Sequence, residues 1–226
     1  MNERIIKSTD RVKDLGEVFT PKKIVDLMLN QPEITAKIND LHATFLEPSA
    51  GEGAFLVELL KRKLNVAKAQ SKNVKEMQNN FLLALSTLYG IELMEDNVEM
   101  LVMNMSNAFQ QIYYHTFDLQ DQDIKVIKSA NVIISANMAQ GNALTRKTDT
   151  GEPIIFSEWK SLPRGKVQRT EYTFDSIIEN GGSTGTVQPE YEQMDLFADP
   201  EEDNDEQSNT SYAPCAWKDV YQKLVN

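Results

Sequence analysis

The segment Leu46-Glu47-Pro48-Ser49-Ala50-Gly51-Glu52-Gly53-Ala54-Phe55 constrains the fold more than any other part of this chain. An apolar run over residues 43–46 leads into it, and an amphipathic run over residues 55–61 follows it. Gly51 and Gly53 allow the backbone to turn tightly and to approach a ligand closely, and the new helix offers free N–H groups. This order of strand, glycine-rich loop and helix predicts the first unit of a nucleotide-type α/β fold.

The charge of this loop indicates which ligand it suits. Glu47 and Glu52 stand on either side of Gly51. Two carboxylates would repel a pyrophosphate, but they would attract a ligand that carries an ammonium and a sulfonium group. S-adenosylmethionine (AdoMet) carries both, so the loop predicts an AdoMet site.

Two further segments stand in a definite order around the loop. Upstream, Gly16-Glu17-Val18-Phe19-Thr20-Pro21 precedes an apolar-periodic run, and Thr20 and Pro21 predict the N-cap and the first residue of a helix. Downstream, Leu88-Tyr89-Gly90-Ile91-Glu92-Leu93 predicts a second strand that ends in an acid. Taken together, the segments resemble the adenine-N6 DNA methyltransferases of restriction-modification type. The resemblance implies an α/β, three-layer, Rossmann-like AdoMet-dependent methyltransferase fold.

The resemblance also implies the residues that hold S-adenosyl-L-methionine. Glu92 would accept hydrogen bonds from the ribose hydroxyls. Asn142 lies in a Gly-Asn-Ala-Leu turn after a strand predicted around residues 131–136, where the family often has an acid that accepts a hydrogen bond from the adenine amine. Met94 either packs on the adenine or belongs to the core. The full implied set is Phe19, Thr20, Glu47, Ser49, Ala50, Gly51, Glu92 and Asn142.

One segment of the family pattern is missing. Adenine-N6 methyltransferases carry an Asp/Asn-Pro-Pro-Tyr/Phe segment that holds the flipped base, yet no two of the eight prolines in this chain are adjacent. Asn137, after an apolar run, is a weak candidate for the acceptor. We therefore expect a DNA adenine-N6 methyltransferase, or its cofactor-binding part, that uses Asn137 or a second methyltransferase or specificity subunit. The alternative is a catalytically silent AdoMet-fold module recruited to DNA or to the sliding clamp.

Composition limits the remaining classes of protein. The single cysteine, Cys215, excludes an internal disulfide, and two histidines make a dedicated metal site unexpected. No apolar run is long enough to span a bilayer, and no secretory signal precedes the domain. We expect a cytoplasmic protein.

The net charge of −11 comes mostly from residues 180–211, which hold nine acids and neither lysine nor arginine. So few apolar residues predict a disordered acidic tail. Within it, Gln193-Met194-Asp195-Leu196-Phe197 resembles the pentapeptide by which bacterial DNA-processing proteins dock on the sliding clamp, with Gln193, Leu196 and Phe197 as the binding residues. Residues 212–226 predict a terminal amphipathic helix that either returns to the core or docks on a partner.

Residues 146–179, which follow the predicted core of residues 1–145, are basic and interleaved with aromatic residues. Strand-like runs on either side of Pro163-Arg164-Gly165 predict a hairpin-like appendage. Cations beside aromatic rings suit the phosphates or unstacked bases of DNA, and a hairpin that packs its aromatic residues on the core explains the pattern equally well. The candidate DNA-binding residues are Lys160, Arg164, Lys166 and Arg169.

Overall fold

The structure is a computed structural model that describes residues 11, 20–179 and 210–224. It begins with two short helices, α1 (Lys22–Leu29) and α2 (Pro32–Ile38). The helix predicted after Thr20 is confirmed, but its N-cap is Pro21 and no side chain caps it. The prediction of Thr20 as the cap was therefore wrong by one residue, because the Pro21 carbonyl already accepts the N–H groups of Ile24 and Val25.

A parallel sheet of three strands forms the centre of the molecule. Its order is β1-β2-β3, and both neighbouring pairs are parallel. Long helices connect the strands, as parallel pairing requires. The elements are β1 (Phe45–Glu47), α3 (Ala54–Gln70), α4 (Val74–Ser86), β2 (Leu88–Glu92), α5 (Glu95–Thr116), a 3₁₀ turn (Leu119–Asp121), α6 (Ile124–Asn137) and β3 (Met138–Gln140). The predicted α/β class is confirmed.

The third strand is shorter and later than predicted. Residues 131–137 belong to helix α6, so the strand predicted at 131–136 was wrong. Val126, Ala130 and Ile133 are buried, whereas the polar residues Lys128, Asn131 and Ser135 are exposed at intervals of three and four residues. This spacing is typical of a helix with one exposed face, and the short run at 131–136 does not show it when it is considered alone.

A second sheet contains the predicted hairpin. Strands β4 (Ile155–Leu162) and β5 (Lys166–Thr173) pair antiparallel around a turn at Pro163–Gly165. A short helix, α7 (Phe174–Glu179), follows, and β6 (Cys215–Ala216) returns to pair with β5. The hairpin prediction is confirmed. The acidic tail predicted over residues 180–211 lies, except for its last two residues, outside the described residues.

The end of the chain packs on the core. Residues Trp217–Gln222 form a 3₁₀ helix rather than an α-helix, and both Trp217 and Val220 are buried. The Tyr221 N–H donates to Ser129 Oγ of α6 at 3.1 Å. Of the two alternatives for this segment, the return to the core is the one observed.

One lysine is buried where the chain enters β1. Lys63 Nζ donates to the carbonyls of Asp40 at 3.1 Å and Ala43 at 2.6 Å, and it lies 5.3 Å from the centre of the Phe45 ring. Burial lowers the pKa of Lys63 to about 8. In the part of the chain that the structure describes, no helix has the length and apolarity to cross a membrane.

Candidate cofactor-binding site

The glycine-rich loop lies at the carboxyl edge of the parallel sheet. It is attached to the neighbouring strand at two points: the Ala50 N–H donates to the Ile91 carbonyl at 2.9 Å, and the Gly51 N–H donates to Glu92 Oε2 at 2.8 Å. From the other side, the Asn104 side chain of α5 donates to the Glu52 carbonyl at 2.9 Å. The loop is thus held by both β2 and α5. This is the edge at which open α/β sheets bind ligands.

The two glycines of the loop meet different requirements. Both have left-handed backbones, with φ of 54° at Gly51 and 89° at Gly53. A Cβ at Gly53 would collide with Leu101 of α5, whereas a Cβ at Gly51 would meet no atom within 4 Å. Gly53 therefore allows α5 to pack closely, while Gly51 faces open space beside the start of α3.

Glu92 organises the loop through its carboxylate. The side chain is 7% exposed, and it accepts N–H groups from three residues. Oε2 accepts from Gly51, while Oε1 accepts from Met94 N at 3.1 Å and from Asn97 Nδ2 at 3.2 Å. Since each carboxylate oxygen can accept two hydrogen bonds, Oε2 keeps one lone pair for a ligand hydroxyl. The sequence interpretation missed Asn97, which is buried and orients Glu92.

Glu47, at the end of β1, is the contrasting carboxylate. It is half-buried, and burial raises the pKa of its carboxyl group. Among the residues described, no hydrogen bond or ion pair to the Glu47 side chain is found. A partly desolvated carboxylate without a partner is the kind of group that a ligand cation stabilises.

Helix α3 presents its N-terminus to the same edge. Its N-cap is Gly53, which has no side chain to cap the helix, and its first turn contains no acid. Ala54 and Ser49 are exposed beside it. Free N–H groups at the start of a 17-residue helix attract the carboxylate or other anionic group of a ligand.

Ion pairs align helix α1 alongside α3 in the same direction. Lys22 Nζ lies 3.8 Å from Glu58 Oε2, and farther along both helices Asp26 Oδ1 lies 3.1 Å from the Arg62 guanidinium. This alignment brings Thr20, just before α1, to the end of α3 where the loop lies. Phe19 lies outside the described residues.

The two asparagines of the proposed set have structural partners. Asn142 Oδ1 accepts the N–H groups of Leu144 at 2.9 Å and Thr145 at 3.2 Å, so the oxygen that the resemblance assigns to the adenine amine closes the turn instead.

Asn137 is fully buried at the end of α6. Its Nδ2 donates to the carbonyls of Ser86 at 3.0 Å and Leu88 at 3.1 Å, and its Oδ1 accepts from Trp159 Nε1 at 2.9 Å. These contacts give Asn137 a structural role and leave it no access to a base.

The four basic candidates of the hairpin fall into two groups. Lys160, Arg164 and Lys166 are exposed. Arg169 instead bonds to Ser157 Oγ at 2.9 Å and lies 5.4 and 4.5 Å from the ring centres of Trp159 and Tyr212. The buried side chains of Phe156, Trp159 and Phe174 show that the hairpin packs its aromatic residues on the core. The clamp-like residues Gln193, Leu196 and Phe197 lie outside the described residues.

Two exposed leucines flank this edge and were not predicted. Leu93, directly after Glu92, is 49% exposed, and Leu144 is 93% exposed. Gln140 Nε2 donates to the Leu93 carbonyl at 3.4 Å, which links the ends of β2 and β3. Apolar side chains exposed beside Glu92 suit the face of a flat aromatic ring. For Leu93, its position directly after a strand-ending acid was the signal in the sequence; Leu144, in the turn after β3, had no such signal.

Comparison with known proteins gives one match. A family model described as N-6 DNA Methylase matches residues 3–144, well over half of the chain. No curated protein and no solved structure matches the chain. The matched range contains the three strands of the parallel sheet and ends at the turn that contains Asn142.

Proposed function

Because the chain belongs to the N-6 DNA methylase family, we propose that it is the AdoMet-binding part of a DNA adenine-N6 methyltransferase of restriction-modification or phage type. Two observations at the same edge carry the proposal: Glu47 is half-buried without a described partner, and helix α3 begins at Gly53, which has no side chain to cap it. The first suits the ammonium of the methionine group, and the second suits its carboxylate. Glu92 retains an acceptor for a hydroxyl, and Leu93 and Leu144 offer apolar contact. The bound cofactor would supply the methyl group.

We propose further that the residues holding the target adenine come from a second polypeptide. The chain has no adjacent prolines, and Asn137 is committed to Ser86, Leu88 and Trp159. Within the described ranges, β1 pairs only with β2, and Leu46 on β1 is 43% exposed. A parallel sheet is normally covered, and its ligand crevice forms where strand order reverses. A further strand beside β1 would create that reversal next to the glycine loop.

Calorimetric titration of the purified chain with AdoMet tests the cofactor proposal. We expect saturable one-to-one binding that weakens at least tenfold in Glu47→Gln, because the ammonium loses its counter-charge. Glu99→Gln, which removes an exposed carboxylate from α5, is the matched control and should bind normally. Absence of heat at millimolar AdoMet would refute the cofactor proposal.

Transfer of a labelled methyl group to adenine-containing duplex DNA tests the division of labour. The chain alone should bind AdoMet without transferring its methyl group. Transfer by the chain alone would refute the second-polypeptide proposal and would establish an autonomous enzyme. Neither transfer nor AdoMet binding would leave the silent binding module, recruited to DNA or to the sliding clamp, as the better description.

A further inference from the structure

An open polar groove separates the N-terminal part of helix α4 from the tip of the β4–β5 hairpin. Its volume is about 490 Å³. Lys75 of α4 faces into it from one side and Arg164 and Lys166 of the hairpin from the other, and Trp217 lies at its floor. The hairpin tip approaches the helix so closely that a Cβ at Gly165 would lie 2.9 Å from Asn79 Nδ2. We call this feature the basic groove.

The cations of the basic groove are exposed, unlike the cations elsewhere in the molecule that are buried or ion-paired. Lys75, Arg164 and Lys166 are exposed, and none of them forms an ion pair with any residue that the structure describes. The one acid that lines the groove, Glu76, is engaged elsewhere: its Oε2 accepts the Lys72 N–H at 2.9 Å as part of the helix cap. Among the residues described, three cations therefore face a space that a single acid lines.

Arg164 adds a second, independent observation. Its backbone is left-handed, with φ of 63°. This conformation costs an arginine roughly 1 kcal/mol, whereas glycine or asparagine adopts it readily. Strained residues that persist tend to mark functional positions. The hairpin turn itself does not require a cation here.

The basic groove is remote from the cofactor edge. The base of the hairpin packs on Ile91, next to Glu92, through Ile154, Phe156 and Phe174. The tip lies eight strand residues farther along β4, or roughly 25 Å at about 3.3 Å per residue. The residues that line the groove thus form no part of the glycine loop.

We propose that the basic groove is a second DNA-binding site, which holds the phosphate backbone of duplex DNA away from the point of methyl transfer. The choice of DNA as the polyanion rests on the proposed function, while the choice of site rests on Lys75, Arg164 and Lys166. Lysines and arginines without carboxylate partners bind phosphates and release counterions, so the contact is independent of base sequence and sensitive to salt. Arg169 takes no part, because it is stacked and paired within the hairpin.

The test measures binding of a fluorescent mixed-sequence duplex to the full chain by anisotropy, without AdoMet, between about 50 and 200 mM salt. Wild-type protein is compared with the triple variant Lys75→Glu, Arg164→Glu and Lys166→Glu. We expect at least a tenfold loss of affinity and a salt slope smaller by roughly two to three, since each phosphate contact contributes about 0.9. The matched control is Lys160→Glu, at an exposed lysine of β4 that does not line the groove. The DNA affinity of this control variant should stay within about threefold of wild type.

A single substitution separates binding from folding. Arg164→Asn removes the cation and fits the left-handed backbone better, so its melting temperature should be unchanged or higher while its DNA affinity falls. Three outcomes would overturn the proposal: wild-type protein that does not bind the duplex at low salt, a triple variant within twofold of wild type, or an equal loss in Lys160→Glu. The AdoMet affinity of the triple variant should equal that of wild type. A loss of AdoMet binding would therefore reveal a defect in the cofactor site, which is distinct from a loss of DNA binding.

Discussion

The carboxyl edge of the parallel sheet and the basic groove hold their polar groups in opposite ways. At the edge, Glu92 already accepts hydrogen bonds from Gly51, Met94 and Asn97 before any ligand arrives. In the groove, Lys75, Arg164 and Lys166 extend into solvent without ion-pair partners among the described residues. The first arrangement fixes a shape for one small molecule, while the second offers charge to an extended polyanion. Preorganisation of this kind favours selective binding, and mobile cations favour binding that ignores sequence.

Glu47 is the exception among the polar groups of the carboxyl edge. Its neighbour Glu92 is largely buried and accepts three hydrogen bonds from the protein, which leave one acceptor position on Oε2, but Glu47 is half-buried without a described partner. The edge thus combines one carboxylate that shapes the loop with one that is left for a ligand. Five substitutions test this division and its counterpart at the hairpin.

The largest effect is expected from Asn137→Ala, because Asn137 joins the parallel sheet to the hairpin. Its amide bonds to Leu88 at the start of β2 and to Trp159 of β4. Removing it leaves two carbonyl groups and an indole N–H buried without partners, which should lower the free energy of unfolding by about 3–5 kcal/mol. Urea denaturation measures the loss. Stability equal to that of wild type would reopen the role of Asn137 as an acceptor.

A paired substitution in the glycine loop has the next largest effect. Gly53→Ala combines a left-handed backbone with a collision against Leu101 and should cost about 3 kcal/mol. Gly51→Ala adds only the backbone strain, about 1 kcal/mol, because its Cβ would meet no atom. The unfolding free energies of the two variants compare them directly. Equal losses would mean that α5 does not pack against the loop as described.

The sequence predicts the carboxyl edge much better than the basic groove, for a physical reason. Gly51, Gly53 and the strand ending at Glu92 follow from local backbone geometry, and local geometry is visible over a few residues. The groove joins Lys75 to Arg164 and Lys166, which only the packing of the hairpin on α4 brings together. No spacing in the sequence connects these positions.

Two differences between the sequence interpretation and the structure have different origins. A strand was expected within residues 131–137, but over the longer run of α6 the exposed Lys128, Asn131 and Ser135 recur at helical intervals of three and four residues. Arg169 and Arg164 look alike in a basic, aromatic-rich segment, yet tertiary packing encloses the first and exposes the second. A longer window of sequence reveals the helix, whereas the different exposure of the two arginines depends on the fold.

Glu47→Gln tests the carboxylate reserved for the ligand. Burial raises the pKa of the Glu47 carboxyl group, so the folded protein binds more protons than the unfolded chain just above the ordinary glutamate pKa. The ionised side chain therefore costs stability, and this cost is present at neutral pH and disappears as the pH falls below about 4.5.

The glutamine variant should be at least as stable as wild type at pH 7, with a difference that vanishes in acid. Its AdoMet affinity should nevertheless fall at least tenfold, about 1.4 kcal/mol. Thermal unfolding across pH and calorimetry provide the two measurements. A variant that loses stability at neutral pH would show that Glu47 has a structural partner and is not reserved for a ligand.

Arg169→Lys has the smallest expected effect and sharpens the contrast within the hairpin. The guanidinium lies between the rings of Trp159 and Tyr212 and pairs with Glu171 at 2.6 Å. A lysine keeps the charge but loses the planar stacking and the hydrogen bond to Ser157, so stability should fall by about 1 kcal/mol. DNA affinity should stay within twofold of wild type, because this cation serves the hairpin and not the groove. The opposite pattern, with unchanged stability and weakened DNA binding, would move Arg169 into the DNA-binding surface and would extend that surface down the hairpin toward the sheet.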